Sequence, residues 1–137
     1  MELAGVFKTS ASALEAQRER MNVVASNLAN VHTTRTEQGG PYKRRDLAFQ
    51  VAPVGNDPGT MNNGVRVSEI VEDQTPPTLI YDPTHPDANP EGYVAMPNVN
   101  VIEEMVNMMM ASRAYEANVS AFNISKSMYL KTLEIGR

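Results

Sequence analysis

The 137-residue sequence has no cysteine and no tryptophan, and only 6% of its residues are aromatic. Without thiols there is no disulfide framework, no thiolate metal site and no cysteine nucleophile. Positive charge is also scarce: 12 Lys+Arg stand against 16 Asp+Glu, for a net charge of -4. A basic field over the whole protein is therefore excluded, the run Lys43-Arg44-Arg45 beside Tyr42 is too short for more than a weak patch, and no nucleic-acid partner is expected. No segment approaches the roughly 18 consecutive apolar residues of a membrane span, so direct membrane insertion is not expected. The opening Met-Glu-Leu-Ala-Gly-Val-Phe-Lys has an acid where a signal peptide has a base, and its apolar run is short. A cleaved signal is not expected.

Proline is missing from both ends. All nine prolines lie between Pro41 and Pro97, and six of the eight glycines lie between Gly39 and Gly92. A proline inside a helix costs roughly 3 kcal/mol, so the ends are free to be helical and the middle is not. Charge divides the same way. The ends balance, with three bases against three acids in 1–31 and four against four in 98–137, so the whole -4 belongs to the middle. The expected fold is mainly α with a small β-rich insert. Residues 1–31 form an N-terminal coiled-coil helix, 32–97 a β/loop insert, and 98–137 a C-terminal coiled-coil helix.

Steps of four and three through the first segment meet Leu3, Phe7, Ser10, Leu14, Gln17, Met21, Val24, Leu28 and Val31. Seven of these nine are apolar and every charge falls off the stripe. A repeat near 3.5 residues predicts a left-handed coiled-coil seam. The same steps through the last segment meet Val101, Met105, Met108, Ser112, Tyr115, Val119, Phe122, Lys126, Tyr129 and Leu133. Asn98 or Asn100 is the expected start signal and Gly136 the stop.

The second helix carries more apolar surface than one seam uses. Ile102, Val106 and Met109 widen the first face, and Ala117, Ala121, Ile124, Met128 and Ile135 form another stripe. A helix apolar over most of its circumference must be buried on most sides. A helix from 98 to 135 would also run roughly 57 Å, longer than the roughly 36 Å breadth of a compact chain of this size. The surplus, with the methionine-rich stretch Met105–Met110, favours burial against other chains. A self-contained helical-hairpin binding module, monomeric in solution, is the alternative.

Within the insert, 46–54 and 64–71 read as strands joined by a turn at Asn62-Asn63-Gly64. Thr78–Tyr81 can pair with Gly92–Met96, and 32–45 is expected to lack regular structure. Arg35, Lys43, Arg44 and Arg45 precede a stretch in which Arg66 alone opposes eight acids. That polarity suits head-to-tail contacts between copies, although a solvated charge run gives the same pattern.

Reactive groupings are few, and no catalytic, metal or cofactor site is expected. His32 and His85 are 53 residues apart, and neither has a second ligand at metal spacing. Asp82, His85 and Asp87 cluster, but Pro83 and Pro86 between them favour a capped turn over acid–base work. Glu103 and Glu104 point about 100° apart on a helix, which fits stabilisation of its N-terminus better than a carboxylate pair. No P-loop, G-x-S-x-G or dinucleotide fingerprint occurs. Asn27 and Asn30 need a reason, because asparagine is a poor helix former. Asn30 suits a helix end. Both could also bond backbone across an interface and fix its register.

Several blocks of the chain resemble the axial rod and hook family of the bacterial flagellum, especially proximal-rod members. They are Ser10–Leu14 with Arg20–Asn30, then Thr33–Thr36 with Gly39–Tyr42. Tyr81–Asp87 leads on to Gly92-Tyr93-Val94 and Pro97–Val101, and Glu103–Met108 is followed by Ser112–Asn118. The Leu-Ala-Asn block is shared across rod and hook proteins; Tyr-Asp-Pro-Thr-His-Pro-Asp and Pro-Asn-Val-Asn-Val are more selective. In the wider family a Thr-x-Gly-aromatic turn follows the Asn block closely, whereas Gly39 and Tyr42 come later here.

The resemblance implies a structural subunit whose terminal helices form the inner coiled-coil layer of a helical tube, with the insert facing outward. That tube would transmit torque and enclose the export channel. The implied partners are copies of itself, other rod proteins, a membrane-ring adaptor and the flagellar type III export apparatus. The implied assembly interface comprises Leu3, Phe7, Leu14, Met21, Val24, Asn27, Leu28, Asn30, Val31, Val101, Met105, Met108, Tyr115, Val119, Phe122, Ile124, Met128, Tyr129 and Leu133.

Overall fold

The computed structural model describes residues 3–54 and 63–136, with side chains from residue 5 onward. The two proline-free ends form helices α1 (Leu3–Ala29) and α2 (Val101–Ile135). Between them lie β1 (Arg45–Pro53), β2 (Asn63–Glu72), β3 (Thr78–Tyr81) and β4 (Tyr93–Met96). Asn100 caps α2, its side chain accepting from the amides of Ile102 and Glu103 at 3.1 and 3.3 Å. Those bonds satisfy two of the amides that a helix start leaves without partners. At the other end, the Gly136 amide donates to the Thr132 carbonyl at 3.3 Å.

The helices pair antiparallel. Phe7, early in α1, sits 5.1 Å from Phe122 between ring centroids and 6.4 Å from Tyr129, whereas Asn27 reaches Glu104 at the start of α2. Helices of 27 and 35 residues span roughly 40 and 52 Å, so the longer one overhangs. The buried apolar side chains are Ala16, Val23 and Val24 of α1, Ala111 of α2, and Tyr42 and Val94 of the insert. The four helical ones line the helix pair, Tyr42 bonds to Asn27 where the insert meets α1, and Val94 lies in β4 of the insert.

β1 and β2 form an antiparallel hairpin in which Leu47 faces Ile70, Phe49 faces Val67 and Val51 faces Val65. Its register shifts between Ala48 and Phe49, leaving Ser68 as the extra residue of a bulge. The hairpin lies along α1. The Thr9 hydroxyl donates to the Asn63 carbonyl at 3.3 Å, and the Val65 amide donates to Ser12 Oγ at 3.1 Å. Asn63 and Gly64, read in the sequence as a turn, are strand residues; Asn62 lies outside the described residues. Gly64 is needed for close approach, because a Cβ there would sit 2.5 Å from Ser12 Oγ and would also meet Val54. Gly64→Ala is expected to cost about 1–3 kcal/mol, the range for overpacking a filled site. A lower urea midpoint and faster amide exchange in β2 would show it, and unchanged exchange at Val65 would contradict it.

β3 and β4 pair from Thr78↔Met96 to Tyr81↔Tyr93. The loop between them is held by its own polar side chains. Asp82 accepts from the Thr84 amide and hydroxyl at 3.1 and 2.7 Å, and His85 Nδ1 accepts from the Asp87 amide at 3.1 Å. Residues 32–44 hold no helix or strand. Their turn places Gly39 and Gly40 at φ 82° and 77°, a backbone that glycine adopts without steric cost.

Candidate assembly interface

Two polar side chains, Asn27 and Glu104, have no solvent exposure at all. Burial on this scale requires complete pairing, and Asn27 achieves it. Its Nδ2 donates to the Arg45 carbonyl at 2.8 Å and to Glu104 Oε2 at 3.0 Å. Its Oδ1 accepts from the Tyr42 hydroxyl at 2.9 Å and the Arg45 amide at 3.0 Å. Exchanging both bonds with the Arg45 backbone, the amide substitutes for a strand partner at the open edge where β1 begins.

Glu104 completes the knot. Its Oε1 accepts from Arg44 Nε at 2.6 Å, a length typical of charge-assisted bonds. The Arg44 guanidinium also faces Asp46 at 3.3 Å and Asp73 at 3.9 Å. Burial pulls its pKa down, but the hydrogen bond and charge of Glu104, then those of Asp46, outweigh it and hold the group above its usual range. The Arg44 side chain therefore stays charged. Asp73 is held below the usual carboxylate range, chiefly by the hydroxyl and amide of Thr75. Asn98 accepts from the Arg44 amide at 2.8 Å and donates to the Thr75 carbonyl at 3.0 Å. One connected network thus joins α1, the start of β1, the end of β2 and the start of α2.

Three of the four bases in the basic stretch of the insert find acids inside the same chain. Arg35 pairs with Asp87 at 3.7 Å, Arg45 with Glu72 at 3.7 Å, and Arg44 with Glu104. Part of the polarity that suited contacts between copies is thereby satisfied internally. Asp87 also accepts from the Thr34 hydroxyl at 2.8 Å, tying the 82–92 loop to the segment after α1. Asp82 and His85 bond within their own turn, and Asp82 is held below the usual carboxylate range by Thr84. Among the described residues no three acidic or histidine groups converge as a metal site.

The stripe residues divide between two surfaces. On α1, Val24 and Asn27 are buried, and Phe7, Leu14, Met21, Leu28, Asn30 and Val31 half-buried. Leu3's side chain lies outside the described residues. Asn30 stays local, donating to the Ser26 carbonyl at 2.8 Å and accepting from the Thr33 hydroxyl at 3.1 Å. Within the chain it acts as a helix-end residue.

On α2, Met108, Tyr115, Val119, Phe122 and Tyr129 are half-buried. The inward line starts at Glu104 and passes through Ala111, not Val101 and Met105, which are exposed. Turning Glu104 inward to meet Arg44 and Asn27 turns those two outward. Leu133 is exposed because it lies on the overhang. Ile124 and Met128 belong to an outer face with Ile102, Val106, Met109 and Met110, all exposed. Among the described residues no strand packs on α2, and both β1 and β2 contact α1.

The amount of bare surface is large. The chain exposes 9733 Å², whereas a compact monomer of 15.0 kDa exposes roughly 7000 Å². The excess of roughly 2700 Å² is above the 1200–2000 Å² buried in total by a standard protein–protein interface, though it is counted on one partner only.

An overlong helix pair with an uncovered apolar face and a hairpin strapped to one helix defines a subunit built to assemble, and similarity identifies the assembly. A family profile described as "Flagella basal body rod protein" matches residues 7–35. A second, "Flagellar basal body rod FlgEFG protein C-terminal", matches 91–135. Flagellar basal-body rod protein FlgC of Escherichia coli O6:H1 is 47% identical over 137 residues, covering 100% of both chains. FlgC of Bacillus subtilis strain 168 is 49% identical over 144 aligned positions, with 96% of each chain covered. FlgC of Borreliella burgdorferi is 44% identical over 151, with 98% covered. The chain belongs to the FlgC family of flagellar basal-body rod proteins. It is a structural subunit of the basal-body rod and not an enzyme.

Proposed function

We propose that the chain polymerises through its terminal helices into a helical tube that transmits motor torque and encloses the export channel. The observation that carries this reading is the outer face of α2, where Ile102, Val106, Met109, Ile124, Met128 and Ile135 stand exposed and no described strand covers them. A face that meets a different surface on the next copy makes a heterologous contact, and heterologous contacts that do not close build helical arrays. Because the hairpin lies on α1 and leaves α2 bare, the two sides of the subunit are unlike. Residues 1–31 and 98–137 then form the inner layer, and 32–97 faces outward.

Its neighbours in this reading are further copies, other rod proteins and, at the base, an adaptor in the membrane ring. Passage through the flagellar type III export apparatus requires an unfolded chain, and a chain with no disulfides and a narrow core unfolds readily. A photo-crosslinking residue at position 124 tests the contact directly. In cells building basal bodies it is expected to give adducts with rod subunits, while the same label at exposed Glu69 of β2 gives none with their helices. Adducts from position 69 and none from 124 would overturn the assignment.

A further inference from the structure

We propose that Met105, Met109, Met110 and Met128 form an oxidant-sensitive modification site whose conversion to sulfoxide bars a free subunit from the rod. The inference rests on the reading of the outer face of α2 as an assembly surface. Among the methionines with described side chains these four are the most open, at 54, 55, 55 and 64% exposure, whereas Met21, Met96 and Met108 are half-buried. All four belong to the apolar side of α2 that no strand covers. With no cysteine in the chain, the thioether is the most readily oxidised side chain it offers.

The chemistry balances with a peroxide as oxidant. A sulfur lone pair attacks the terminal peroxide oxygen and the O–O bond breaks. The sulfur gains one oxygen and is oxidised by two electrons, and hydrogen peroxide leaves as water. The product is polar and chiral where the thioether was flexible and apolar, a change known to disrupt methionine-rich interfaces. Sulfoxides on the outer face leave α1, the polar knot and the Phe7–Phe122 contact untouched, so the modified chain stays folded while its docking face becomes wet. Methionine sulfoxide reductases reverse the step, which makes the block a reversible one.

Peptide mapping of the purified full-length chain during peroxide exposure reads the site. The four outer methionines are expected to gain oxygen at least fivefold faster than Met21 and Met96; equal rates would overturn the assignment. Isolated basal bodies treated in the same way separate this inference from the reading beneath it. Oxidation of the four as fast there as in the free chain would sink the assembly surface itself. Protection in basal bodies supports the surface and leaves the consequence of sulfoxide to be read by substitution. A chain carrying Gln at all four positions, polar like the sulfoxide, is expected to keep its circular dichroism and melting temperature but to lower rod number at least tenfold. The corresponding all-Leu chain is expected to build rods and to keep doing so under peroxide. Normal rod numbers from the folded Gln chain would overturn the proposal while the protected surface stood.

Discussion

Glu104→Ala is expected to destabilise the folded chain by about 3–5 kcal/mol, the cost of removing one partner from a buried ion pair. The Arg44 guanidinium would lose its closest counter-ion, 2.6 Å away, and one Asn27 amide hydrogen would lose its acceptor in a site without water access. Asp46 and Asp73 would remain near Arg44 at 3.3 and 3.9 Å, but both reach it from its more exposed side. Urea unfolding measures the loss. A double-mutant cycle with Arg44→Ala isolates the pair and should return a coupling within about 0.5–3 kcal/mol, as neighbours in one network do. A loss below about 1 kcal/mol would mean that the knot is solvated and that the insert is held by the hairpin contacts alone. The knot joins four elements, so its loss should also raise amide exchange at the Arg45 end of β1 before exchange in the centre of α1.

The parts of this structure legible in the sequence are those set by local pattern. Proline confined to 41–97 marked where helices could not run, and the observed helices stop at Ala29 and resume at Val101. The strand read over 64–71 falls within β2, and the expected pairing of Thr78–Tyr81 with 92–96 forms over 93–96. The knot was only partly legible, because its members are spread from residue 27 to residue 104 and no periodicity links them. Asn27 stood out as a poor helix former near the end of an apolar stripe. Glu104 did not, since an acid in the first turn of a helix has a sufficient local explanation in the dipole. The two neighbouring acids differ only in which side of α2 faces α1: Glu103 is exposed and Glu104 is fully buried. One available signal was the conflict between them, as a seam drawn through Val101 and Met105 leaves Asn27 without a partner of its own kind. Gly64 was read both as the end of a turn and as the first residue of a strand, and its close approach to α1 was missed for a similar reason. Asn-Gly is the commonest local turn signal, and close approach to Ser12 is a tertiary fact that no neighbouring residue reports.

Ile124→Asp is expected to abolish rod assembly while leaving the subunit folded. Ile124 lies on the outer face of α2, exposed and away from the Phe7–Phe122 contact. A charge there meets water in the free chain, where surface substitutions stay within about 0.5 kcal/mol of neutral. In the assembled tube the same carboxylate would be enclosed without a partner, at a cost of several kcal/mol per copy. Each 1.4 kcal/mol is tenfold in affinity, and every copy in the array bears the same penalty, so loss of motility should be complete rather than graded. Phe122→Asp provides the contrast. Its ring sits 5.1 Å from Phe7 across the helix pair, and Phe7 also packs against Tyr129 of α2 at 6.4 Å, so the charge disturbs packing within the subunit and should lower its melting temperature as well as its assembly. Electron microscopy of basal bodies together with thermal melting of the purified chains separates the two effects. Intact rods in the Ile124→Asp strain would show that the bare side of α2 faces solvent in the finished structure, and the contacts between copies would then have to run through the half-buried seam that α1 and α2 share.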